Sequence, residues 1–311
     1  MDELDFTAPA SPGPPSTAET PAPFRPSASP LYKPRIAAMI FEASGKAEHI
    51  AAGTVIFAEE QKASAGGLFS KQSATRMYFL AQGEVALTVG GHLLDNVSAG
   101  HIFGEMAVIS DRPRTATATA RTECALHSLN AGELRGALQK VPEFALMLMS
   151  VLFERLRFVA ARLAARNAAT TARHHEGAVF DPALLRQLEG ALARPVVTRF
   201  SPGDVIMREG QAGACAYVVK SGRIAIAIRG NIVEGVSAGG TFGEMALVDQ
   251  SPRTATAAAA TDCELLAIDR ASLLAALKQQ PAFAMAMLRA IADRLRYMNS
   301  QLGQGRPDPA G

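Results

Sequence analysis

Gly83 of this 311-residue chain returns as Gly222, Cys124 as Cys263 and Pro142 as Pro281, so one offset of 139 residues relates two parts of the sequence. No gap is needed over that stretch: Val97-Ser98-Ala99-Gly100 becomes Val236-Ser237-Ala238-Gly239, and Arg155-Leu156-Arg157 becomes Arg294-Leu295-Arg296. A pattern that repeats at a fixed period is one structural unit used twice, and a fold that suits one copy must suit the other. Upstream the offset grows to 150, because Gly53 corresponds to Gly203, and the first copy therefore carries eleven extra residues around Lys62 to Ala74. Their Gly, Ser, Ala and Lys content reads as a surface loop.

Each copy reads as strands followed by helix. Apolar and small residues alternate at period two in Ile224-Ala225-Ile226-Ala227-Ile228 and in Thr115-Ala116-Thr117-Ala118-Thr119-Ala120, the pattern of a half-buried strand. Glycines punctuate the strands as turns, which favours a sandwich or jelly roll over a parallel sheet with crossover helices. Downstream, Leu148, Leu152, Leu156, Val159 and Leu163 recur at helical spacing, and Met287, Ile291, Leu295, Met298 and Leu302 repeat the stripe. The expected fold class is α+β: two tandem β-rolls, each with flanking helices and a long C-terminal helix. The stripes read first as core; a homodimer seam is the second reading, left open at this length.

These patterns place the first domain at residues 35–168, a linker at 169–180 and the second domain at 181–303. Residues 1–34 are rich in Pro, Ala and Ser, and 304–311 are similarly loose; such segments bury too little apolar surface to offset their ordering entropy, so both are expected to be disordered tails. A partner-docking arm is the alternative for the first tail, without a recognisable docking motif.

With 48% apolar residues the chain can fill two cores. Thirty-one basic against 29 acidic side chains leave a formal charge of +2, too small a field to indicate a nucleic-acid surface. Cys124, Cys215 and Cys263 form no CxxC pair, which encodes neither a disulfide framework nor a zinc knuckle and fits a reducing cytoplasm. Met1-Asp2-Glu3-Leu4-Asp5 is acidic where a secretory leader is basic, and the apolar run from Phe144 to Phe153 stops at Glu154, short of a membrane span. A soluble, cytoplasmic protein is the expectation.

The densest identity runs from Phe103 to Ala118 against Phe242 to Ala257, where eleven of sixteen positions agree. Both copies hold one Glu and one Arg nine residues apart, Glu105 with Arg114 and Glu244 with Arg253. Gly104 and Gly243 can take the backbone angles that turn a strand into a short helix, exposing amide N–H groups suited to a phosphate. An arginine fork offers two parallel donors to phosphate oxygens, each charge-assisted bond being worth about 1.5–3 kcal/mol, and lysine lacks that fork. A carboxylate cannot face the same anion, but it accepts a hydrogen bond from a sugar hydroxyl. Acid and fork together read as a sugar-phosphate site. A Glu–Arg ion pair closing a turn is the bland alternative, weakened by recurrence of the spacing in both copies.

The motif FGEMAxxxxxPRTATA resembles the phosphate-binding cassette of cyclic nucleotide-binding domains, and Gly203 to Gly210 followed by Ala216 to Gly222 is similar to that family's early strands. The resemblance covers about residues 36–165 and 181–302. It implies that Glu105 and Glu244 contact the ribose 2′-hydroxyl, that Arg114 and Arg253 bind the cyclic phosphate, and that the backbone at Gly104, Met106 and Ala107, and at Gly243, Met245 and Ala246, completes each cradle. Phe103 and Phe242 open the motif. Thr115 and Thr254, which follow the arginines, can reach the base, with cAMP placed ahead of cGMP; Phe158 and Tyr297 could stack on it, though core packing suits each better. In the first copy Glu60-Gln61-Lys62 stands where the family has Glu-Gly. Two copies in tandem look most like the regulatory subunit of cyclic nucleotide-dependent protein kinase, and also resemble bacterial proteins of the catabolite activator family. That implies a regulatory binding protein rather than an enzyme, with a kinase or other effector as protein partner. Only one arginine precedes Ser27, which is poor for a pseudosubstrate, and nine residues after Leu302 leave no room for a winged helix, so no nucleic-acid partner is expected.

No metal is expected either. His49, His92, His101 and His127 have no counterparts in the second copy, so the ligand cluster of a metal-dependent jelly roll is missing. A haem sensor using Cys124 and His101 is a remote alternative. No nucleophile elbow or Walker loop occurs. The remaining alternative is a scaffold whose rolls kept the motif but act through a protein partner.

Overall fold

The computed structural model describes residues 31–60, 75–165, 175–176, 180–192 and 195–303. The first thirty residues, the insertion from 61 to 74, most of the 169–180 linker and the segment after 303 lie outside the described residues.

In the first copy α1 (Pro34–Ser44) precedes β1 (Lys46–Ile50), β2 (Val55–Phe57), β3 (Arg76–Gln82), β4 (Glu84–Val89), β5 (His92–Ser98) and β6 (Ile102–Phe103). A short helix, α2 (Glu105–Ser110), then leads to β7 (Thr117–Ala120), β8 (Cys124–Asn130), α3 (Ala131–Lys140) and α4 (Glu143–Ala165). After β9 (His175–Glu176) the second copy repeats the order: α5 (Pro182–Ala191), β10 (Val196–Phe200), β11 (Val205–Met207), β12 (Cys215–Ser221), β13 (Arg223–Ile228), β14 (Asn231–Ser237), β15 (Thr241–Phe242), α6 (Glu244–Asp249), β16 (Thr256–Ala259), β17 (Cys263–Asp269), α7 (Arg270–Gln279) and α8 (Pro281–Gly303). The α+β class and the double β-roll read from the sequence are therefore the observed architecture. The strand predicted from Ile224 to Ile228 falls within β13, and the one predicted from Thr115 starts two residues later, as β7.

Each roll is two antiparallel four-stranded sheets: β1-β8-β3-β6 and β2-β7-β4-β5 in the first, β10-β17-β12-β15 and β11-β16-β13-β14 in the second, where β9 adds a parallel partner to β14. The order is non-sequential because the chain passes back and forth between the two sheets, only the β4–β5 and β13–β14 hairpins staying within one, as in a jelly roll. Between the first pair lies a cluster that includes Tyr78, Leu80, Val85, Phe103 and Leu126, all buried. The turn between β3 and β4 needs glycine: Gly83 has φ +100, and a Cβ there would sit 2.4 Å from the Glu123 carbonyl oxygen. Its counterpart Gly222 has φ +87 and would meet the Asp262 carbonyl oxygen at 2.2 Å. Cys124 and Cys263 are buried thiols beside these turns, donating to the carbonyls of Glu84 and Arg223.

Two compact units form, one ending at Val151 and the other beginning at Leu152, so the boundary lies inside α4. In the first, Asn130 and Glu133 make a reciprocal capping box at the start of α3. In the second, Asp181 caps α5 through the amides of Ala183 and Leu184, and Phe180 stacks on Phe283 at 5.3 Å. The predicted helical stripes are buried at Leu148, Leu152, Leu156 and Val159, and at Met287, Ile291, Leu295 and Met298.

The departure at Glu60 has a local consequence. Its amide donates to the Arg114 carbonyl as Gly210 donates to that of Arg253, so both copies make the same turn. Gly210 has φ +80, whereas Glu60 holds φ 59 with a side chain. A left-handed L-residue is strained by about 1–2 kcal/mol, against which glycine's extra unfolded-state entropy costs about 0.5–1 kcal/mol. Glu60→Gly is therefore expected to stabilise the first roll by about 1 kcal/mol. Chemical denaturation would show a raised midpoint at unchanged slope; a lowered midpoint would refute the strain.

Candidate functional site

In the second copy, β15 ends at Phe242 and the chain turns into α6 through Gly243, which holds φ +79. A Cβ there would lie 2.6 Å from Nη1 of Arg253, so the close approach of backbone to guanidinium requires glycine. Arg253 Nη1 donates to the Gly243 carbonyl at 2.5 Å, and Nη2 donates to the Cys215 carbonyl. Gly213 closes one side: a Cβ on it would fall 2.4 Å from the same guanidinium. Arg253 is only 5% exposed, and burial pulls its guanidinium below the usual value. A nearby anion opposes that cost by favouring the charged form.

The first cassette has the same frame. Gly104 holds φ +72, Arg114 Nη1 donates to its carbonyl at 2.8 Å and Nη2 to the Arg76 carbonyl at 2.6 Å. Burial lowers the Arg114 guanidinium as well. One difference is the residue lying on it: the Phe57 ring is 3.9 Å from the guanidinium carbon, where the second copy has Met207. Phe103 stacks on Tyr78 and Phe242 on Tyr217, each pair at 5.2 Å, so both motif phenylalanines anchor the cassette into its own roll.

The alternative reading, a Glu–Arg ion pair closing the turn, is not what holds the second cassette. Arg294, from α8, donates through Nη1 to Glu244 Oε1 at 2.8 Å, through Nε to Glu234 Oε1 at 2.9 Å and through Nη2 to the Thr241 carbonyl at 2.8 Å. All four residues are buried. Burial pushes the Glu234 carboxyl up, while the attached Arg294 pulls it down. The second oxygen of Glu244, Oε2, is buried and has no hydrogen-bond partner among the described residues. A carboxylate fixed through one oxygen and open at the other is an acceptor prepared for a hydroxyl.

A cavity of about 280 Å³ opens beside these groups. Gly243, Glu244, Arg253 and Thr254 line it from the cassette, and Phe242, Met245 and Ala246 complete that side. Thr254 donates its hydroxyl to the Met245 sulfur at 3.7 Å, as Thr115 does to that of Met106 at 3.9 Å. Neither Phe158 nor Tyr297 lines the cavity. Phe158 lies under the Arg162 guanidinium at 5.5 Å. The side chains that α8 does place in the wall are Arg294 and Met298, four residues apart on one face.

Sequence reasoning missed Glu234 and Arg294. The signal was present: Arg294 opens an Arg-Leu-Arg triplet found in both copies, and Glu234 interrupts the apolar run of β14 where the first copy has Asp95. No group of three His, Cys, Asp or Glu side chains that could hold a metal occurs among the described residues. No helix among them is long and apolar enough to cross a membrane.

The cyclic nucleotide-binding domain family matches residues 47–141 and 197–280, more than half of the chain. The chain belongs to that family and carries its domain twice. It is 26% identical over 209 residues to a cGMP-dependent protein kinase of Eimeria tenella, covering 66% of this chain and 19% of the relative. It is 27% identical over 220 residues to a cAMP-dependent protein kinase regulatory subunit of Hypocrea atroviridis, covering 70% of this chain and 41% of the relative. The chain thus spans less than half the length of either. Among solved structures, the regulatory domain of Toxoplasma gondii PKA with cAMP aligns at 21% identity and a TM-score of 0.27, over 83% of this chain and 86% of that one.

Proposed function

We propose that this chain is a cyclic nucleotide receptor of the regulatory-subunit kind, acting by binding rather than catalysis. The observation that carries the reading is the second cassette itself: a buried arginine in the wall of a cavity, beside a buried carboxylate with one oxygen fixed by Arg294 and the other open. In this reading the cyclic phosphate meets Arg253 and the N-terminal amides of α6, and the ribose 2′-hydroxyl donates to Glu244 Oε2. Arg114 and Glu105 do the same in the first roll. The hydroxyls of Thr254 and Thr115, held only by a thioether sulfur, are free to turn toward the base. We place cAMP ahead of cGMP, supported by the regulatory-subunit likeness across 70% of the chain.

The signal is a population shift. Arg294 ties α8 directly to the carboxylate that takes the ribose, so ligand and helix share one group. Occupancy then stabilises one placement of the C-terminal helices and changes what they present to a protein partner, a kinase or another effector. A soluble, cytoplasmic setting fits this reading.

Titration calorimetry with cAMP and then cGMP tests it. The expected result is two sites per chain for at least one nucleotide, with reduced amide exchange across Met287 to Leu302 on binding. Absence of heat with both nucleotides would leave the double roll as a scaffold; binding with unchanged exchange would remove the helix from the mechanism.

A further inference from the structure

Part of the wall of the cavity beside the second cassette comes from α4, which the repeat assigns to the first copy. Leu156 and Ala160 are buried in it, and Ala161, at its exposed rim, also lines the space. What holds this stretch of helix in place is Arg157. Its Nη2 donates to the Asp249 carboxylate and to Ser251 Oγ at 2.9 Å, while Nη1 donates to Glu154 on its own helix at 2.5 Å.

Asp249 is the last residue of α6, so the clasp joins α4 to the cassette helix itself. The carboxylate is well seated: its side chain is 4% exposed, and its other oxygen accepts from the Ser251 amide at 3.1 Å. An ion pair this enclosed is screened little by salt and fixes geometry better than an exposed one. Offset 139 puts Ser110 and Arg112 at the positions of Asp249 and Ser251, so the first cassette does not carry this carboxylate and hydroxyl pair.

We propose that the second nucleotide site is composite: the Leu156–Ala161 face of α4 forms its outer wall, and Arg157 is the positioning residue that docks this wall onto Asp249 and Ser251. The small side chains of Ala160 and Ala161 leave room for a planar group between that wall and the cassette. This inference rests on the cavity being a cyclic nucleotide site.

The full chain carrying Arg114→Gln, which removes the fork but keeps a donor for one of the two carbonyls Arg114 serves, isolates the second site for calorimetry with cAMP. In that background Arg157→Ala is expected to weaken binding at least tenfold, and Arg157→Lys, which keeps the charge facing Asp249, to recover most of the loss. Simple loss of stability would not be reversed by lysine in the binding constant alone. Ala161→Trp, at an exposed rim position that the fold tolerates, fills the cavity from α4 and is expected to reduce binding by a similar factor. A constant moved less than twofold by either Arg157→Ala or Ala161→Trp overturns the composite wall while leaving the receptor reading intact. If the unsubstituted chain takes up neither cAMP nor cGMP, the receptor reading falls and the composite site with it. Should Arg157→Ala fail to fold, Ala161→Trp decides.

Discussion

Replacing Arg253 by Gln is expected to weaken cyclic nucleotide binding at the second cassette by a factor on the order of 10²–10⁴. In the receptor reading, two charge-assisted bonds to phosphate oxygens, at about 1.5–3 kcal/mol each, are lost together. Glutamine keeps a donor for one of the two carbonyls that Arg253 serves, those of Gly243 and Cys215, so the roll should survive with a deficit of about 1–2 kcal/mol. The check is a paired measurement of calorimetric affinity and thermal midpoint. A chain that melts nearly as before and binds as before would mean that the arginine serves only the fold.

Arg294→Leu carries the second large effect, on stability and on its pH dependence. The change leaves Glu234 and Glu244 buried without their counter-charge, a situation that costs about 3–5 kcal/mol, on the order of 10 °C in melting temperature for a roll of this size. Burial already raises the Glu234 carboxyl, and removing the attached cation raises it further. A group whose folded value lies above its unfolded one contributes stability that is complete below the unfolded value and is lost as pH rises through the folded value. The deficit of the variant is therefore expected to be largest near neutrality and above, and to narrow as the solution is acidified toward the ordinary carboxylate range. Melting curves at a series of pH values would show this; a deficit that widens on acidification would contradict the buried-carboxylate account.

The sequence revealed the rolls because their strands are short, alternating and repeated, and because glycine marks turns that no other residue fits. The cassette was legible for the same reason: Gly104 with Arg114, and Gly243 with Arg253, are local partners whose spacing survives in both copies. Arg294 was not, since its carboxylates lie 50 and 60 residues upstream and its helix reads as an apolar stripe whose arginines look like a solvated edge. Tyr297 suggests a partner for the base because aromatic rings stack on bases, yet the helix turns Arg294 and Met298 to the cavity instead. The clasp of Arg157 on Asp249, 92 residues away, depends on how α4 leaves the first copy, which no local pattern encodes.

The cassette arginines bond backbone carbonyls of their own roll, and so act as struts between β3 or β12 and the turn that starts the short helix. Mutational drift at either position would therefore meet resistance from folding, whatever the cassette binds. In a duplicated gene that constraint keeps both recognition motifs intact while their surroundings diverge, as Phe57 and Met207 have done beside them. Folding demand alone can thus keep the arginine in place in both copies.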